Sequence, residues 1–159
     1  MRLIAAEHGW AELRGQYVAA VAAGDILHPL RLARQVAALE ASPAAPLAGC
    51  GAWRFDGVAV QPDALGPDSR PDDLGWLVHL AEPAALSSIL ARTDAARAAG
   101  AAAGWLGAVL RLLSPMDVAP PVYVPARLHI SRAPVRDAAP SLAAAYEPLL
   151  GDEAGHAAT

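Results

Sequence analysis

The sequence predicts an α+β domain: a small, mostly antiparallel sheet of about four strands with helices packed on one face, in the order ααβββαβα. Three observations carry this. Residues 122–131, VYVPARLHIS, alternate with period two, as a strand does. An Asp56-Gly57 pair sits between apolar runs, as in a tight hairpin. Residues 28–39, HPLRLARQVAAL, place apolar side chains at helical spacing. The chain has 159 residues, 55% hydrophobic and 18% charged, which is enough for one core and too apolar for a disordered polymer. Residues 1–150 are expected to form a single domain, with 151–159 as a frayed tail. Much of the apolar count is alanine, so the core is smaller than the percentage implies.

The elements follow in order. Leu13, Tyr17 and Val21 recur every four residues, with Trp10 nearby, and predict a first helix over 4–23 ending at Gly24. Pro29 suits the first position of a second helix. Leu32, Val36 and Leu39 line one face of it, and Ser42-Pro43 stop it. A two-residue turn at Asp56-Gly57 pairs Phe55 with Val58, Arg54 with Ala59 and Trp53 with Val60. Trp53, Phe55, Val58 and Val60 then share one apolar face. A longer bent strand with Gly57 at a bulge is the alternative. Residues 62–73 read as a polar, proline-rich loop, and GWLVHLAEP, 75–83, as a strand. A long helical region follows to about Leu113, with a possible restart at Thr93-Asp94. Ala96, Gly100, Gly104 and Ala108 form a row of small side chains within it, open to close approach by another element. In the strand at 122–131, Pro125 lacks an N–H and predicts an edge position or a bulge. A short helix over 141–150 closes the domain.

Composition excludes several functions. Twelve basic and sixteen acidic side chains are interspersed, for a net charge of −4, so no basic stripe serves nucleic acid. Every basic side chain apart from histidine is arginine, and lysine and asparagine are missing. With the abundant alanine, glycine and proline, this reads as the imprint of a GC-rich coding sequence. The single cysteine, Cys50, rules out an internal disulfide and a cysteine-pair zinc site. No apolar stretch is long enough for a membrane, and the first residues lack a signal-peptide pattern. A cytoplasmic protein with no cofactor and no metal is the expectation. Residues 28–39 resemble the opening helix of small winged-helix repressors, but proline, glycine and a hairpin follow where a basic recognition helix would be needed.

Chemistry, if present, is expected on the polar face of the sheet. His79, His129, Arg127, Tyr123 and Arg54 would all project from it, and could bind an anion or, with Asp72 or Asp73, a metal. No nucleophile elbow, P-loop or dinucleotide fingerprint is present, so no catalytic residue is assigned. Cys50 reads as a packing residue, and His28 as a cap or a solvated side chain. The sequence therefore favours a non-catalytic interaction protein: an accessory subunit, a dedicated chaperone or an immunity-type partner. The element order is similar to that of small secretion-chaperone-like α+β folds. A protein partner or self-association would use Val122, Tyr123 and Val124 on a proline-bracketed edge strand, or the helix ridge at Gly100 and Gly104. The alternative is a small enzyme or a ligand-binding domain built around His79 and His129.

Overall fold

The computed structural model describes residues 13–55, 58–62, 86–99, 104–113 and 120–131. They form strands β1 (Tyr17–Val18), β2 (Ile26–Leu27), β3 (Leu47–Phe55), β4 (Val60–Pro62), β5 (Leu90–Arg92) and β6 (Val122–Ser131). Helices α1 (Arg31–Ala41), α2 (Thr93–Ala98) and α3 (Gly104–Leu113) accompany them. The class is α+β, as expected, but the sheet is curled and mixed rather than mostly antiparallel. Its order is β1-β5-β3-β6-β2, with β4 also pairing β3. The central pair, β3 and β6, is parallel. Parallel neighbours need a long crossover, and here the chain passes through β4, β5, α2 and α3 before returning as β6.

Helices cover both faces of this sheet, which corrects the one-sided expectation. The cross-strand pair Leu47 and Ala91 faces α3, packing with Leu106, Val109, Leu110 and Leu113. The next pair, Ala48 and Leu90, faces the opposite way and packs with Leu39 of α1. Successive strand residues point to opposite faces, so both sides of β3 need cover. Residues 47–52, LAGCGA, are accordingly all buried, and their small side chains let helices approach from either side. A strand covered on both faces reads as a continuous apolar run without alternation.

Helix α1 lies where expected and ends at Ala41, before Ser42-Pro43, but begins at Arg31, two residues after Pro29. The ring nitrogen Nδ1 of His28 accepts the Leu30 N–H at 3.1 Å in the turn before the helix, whose N-cap residue, Leu30, makes no side-chain capping bond. Leu39 is fully buried, and Leu32 and Val36 pack beside it. Strand β6 also matches. Pro125 sits where the β3–β6 register slips, between Val124, opposite Cys50, and Arg127, opposite Gly51. The bulge removes the need for a ladder donor at proline. Strand β2 lies outside β6 only at His129 and Ile130, so among the described strands Val122–Val124 pair with β3 alone.

The remaining differences have local causes. The first helix does not extend over 13–23. Gly15 and Gln16 form a bend, and Tyr17 and Val18 pair with Arg92 and Ala91 in extended conformation. Tyr17 joins the α1-side core and Val18 the α3-side core, the alternation of a strand. The long helix over 83–113 is interrupted at 90–92 by β5, where the backbone N–H of Arg92 donates to the Pro46 carbonyl. Helix α2 begins at Thr93, at the restart the sequence marks. The row of small residues is therefore split between two helices. Ala96 lies in α2 and Ala108 in α3, while Gly104 opens α3 at φ +68°, where a side chain would be strained.

The hairpin forms two residues out of the expected register: Phe55 pairs with Val60, Arg54 with Gln61 and Trp53 with Pro62. A slip of two keeps each side chain on its face. Arg54 thus still opposes a polar partner, donating to Gln61 Oε1 at 3.2 Å. Val58 moves from the ladder into the turn and is 94% exposed. The strand expected at 75–83, the helix at 141–150 and the tail at 151–159 lie outside the described residues.

Candidate functional site

Among the described residues, a cluster of polar side chains lies between α1 and the sheet and is sealed from solvent. Arg31, the first residue of α1, and Gln35, one turn on, are both fully buried. Arg31 Nε donates to Gln35 Oε1 at 3.0 Å, and Arg31 Nη1 lies 3.1 Å from His129 Nδ1. A guanidinium has only donors. Nδ1 therefore accepts, which leaves the imidazole proton on Nε2. That atom lies 3.2 Å from Asp25 Oδ2, with both side chains fully buried. The contact has ion-pair distance, but Nε2 makes no hydrogen bond. Charge is thus balanced across the ring, with a cation on one side and a carboxylate on the other.

Gln35 ties this group to the sheet. Its Nε2 donates to the carbonyls of Ala48 at 2.9 Å and Ser88 at 2.7 Å, using both amide hydrogens. Cys50 Sγ contacts the same Ser88 carbonyl at 3.5 Å. Burial pulls the Arg31 guanidinium below the ordinary arginine range, and Cys50 and Asp25 act against that pull. The cluster joins the approach to β2, α1, β3, the segment entering β5, and β6. Apart from His129 Nε2, which makes no hydrogen bond, its polar groups are paired with one another or with the backbone, and they tie five segments together.

A second group occupies the other face of β3. Arg127 pairs with Gly51 and stacks its guanidinium over the Trp53 ring at 4.8 Å. A Cβ at Gly51 would meet Arg127 Cγ at 3.0 Å and the Tyr123 hydroxyl at 3.1 Å. A side chain at Gly51 would force these β6 side chains to shift, so glycine permits their close approach to the β3 backbone.

The expected site residues therefore divide. Tyr123 and Arg127 come together over Gly51, with Trp53 beside them. His129 does not join them. It is 2% exposed and points toward α1. The cause is the irregular β6 register: Gly51 faces Arg127, and Ala52 faces His129, one residue further along β6 than regular pairing allows. One extra residue turns every later side chain to the opposite face. Arg54 lies on the hairpin, bonded to Gln61. His79, Asp72, Asp73 and Gly100 lie outside the described residues. Val124 packs with Cys50 and Leu128, Val122 with the Leu39 core, and Gly104 is exposed. Cys50 is fully buried. No group of three or more potential metal ligands occurs among the described residues.

Sequence reasoning missed Arg31, Gln35 and Asp25. Their one signal is the i, i+4 spacing of Arg31 and Gln35 on the helix flank next to Leu32, Val36 and Leu39. That spacing looks the same on an exposed helix.

A third feature is an open cavity of about 460 Å³ lined by Gly15, Gln16, Tyr17, Glu40, Arg92, Thr93, Asp94 and Arg97. Arg92 stacks on Tyr17 and donates to the carbonyls of Leu39 and Ala45, at 2.8 and 3.1 Å. The Tyr17 hydroxyl donates to Glu40, and this bond, with some burial, raises its pKa above the ordinary phenol value. The chain matches no protein-family model and no curated protein. No helix among the described residues is long and apolar enough to cross a membrane.

Proposed function

We propose that this chain is a non-catalytic interaction protein whose partner docks on the β3–β4 hairpin. The observation that carries this reading is the exposed apolar tip. Val58 is 94% and Val60 52% exposed, on a ribbon whose same face carries the half-buried Phe55 and Trp53. Strand β4 is exposed along its length and, among the described strands, pairs with β3 alone. Such an edge offers a partner backbone hydrogen bonds, and the valines offer it apolar area. Among the described residues, three groups suited to chemistry, Cys50, His129 and Arg31, are buried and engaged with one another or with backbone carbonyls. A substrate has no access to them without local opening, which favours the docking reading over an enzyme built around His129.

The test is affinity capture from the native host with the wild-type chain and with Val58→Asp/Val60→Asp. Both positions are exposed, so the variant is expected to keep the wild-type circular dichroism spectrum and melting temperature. A stoichiometric protein retained by wild type and lost by the variant supports the proposal. Equal capture by both chains, or none by wild type, overturns it.

A further inference from the structure

We draw no further inference here: the strongest candidate, the open cavity between β1, the end of α1 and the start of α2, carries nothing, because its charged side chains are already engaged within the protein (Glu40 by Tyr17, Arg92 and Arg97 by backbone carbonyls, Asp94 by the Ala95 N–H) and its orphan hydroxyl, Thr93 Oγ1, is sealed from solvent, so nothing in it points to a ligand.

Discussion

Replacing Arg31 by methionine tests whether the buried cluster holds the fold. Methionine keeps an unbranched chain and removes the guanidinium. Gln35 Oε1 and His129 Nδ1 then lose their donor, and Asp25 loses the cation that balances it across the ring. A stranded buried acceptor costs about 1–3 kcal/mol. Removing one member of a buried charged network costs about 3–5 kcal/mol, a figure that already includes the stranded partners. An expected loss of about 4 kcal/mol is a large share of the roughly 5–15 kcal/mol that stabilises a domain. Urea unfolding followed by circular dichroism reads it directly. With a slope of about 2 kcal/mol per molar, the midpoint falls by about 2 M. The companion experiment is a cycle with His129→Leu. If Arg31 and His129 act as a unit, the double variant loses less than the sum of the singles, by about 1–3 kcal/mol. A midpoint shift under about 0.5 M for Arg31→Met, or strict additivity in the cycle, would refute the reasoning.

Gly51→Ala is expected to destabilise by about 1–3 kcal/mol through overpacking against Arg127 and Tyr123. Adding Arg127→Ala should recover part of that loss in a thermal melt, and no recovery would show that the close approach is not the cause. The Cys50 thiol is expected to stay unreactive toward a thiol reagent in the native state and to react stoichiometrically in denaturant; rapid native labelling would contradict its burial. Tyr17 should ionise above free tyrosine in an ultraviolet titration, and Glu40→Gln should bring it back toward the ordinary range. The raised value favours the protonated phenol in the folded state. Its contribution to stability is therefore complete below about pH 10, the unfolded value, and is lost as pH climbs through the folded one.

The sequence by itself determined what neighbouring residues decide. Pro29 and Ser42-Pro43 bracket α1, Thr93-Asp94 marks the start of α2, and the alternation from Val122 to Ser131 delimits β6. Each signal lies within a few residues of the feature it specifies. Tertiary structure alone decided the rest. Strands β1 and β2 have two residues each and exist only because distant partners, Ala91–Arg92 and His129–Ile130, supply their ladders. Strand β5 interrupts a run with good helical composition because it completes the sheet beside β3. The parallel pairing of β3 and β6 brings together segments about seventy-five positions apart, which no local pattern encodes. The orientation of His129 depends on a single extra residue in β6, and the burial of Arg31 depends on acceptors contributed by α1, β6 and the segment before β5. A local pattern states which side chains share a face. It does not state which partner covers that face, and that partner decides whether a charged group is solvated or sealed inside.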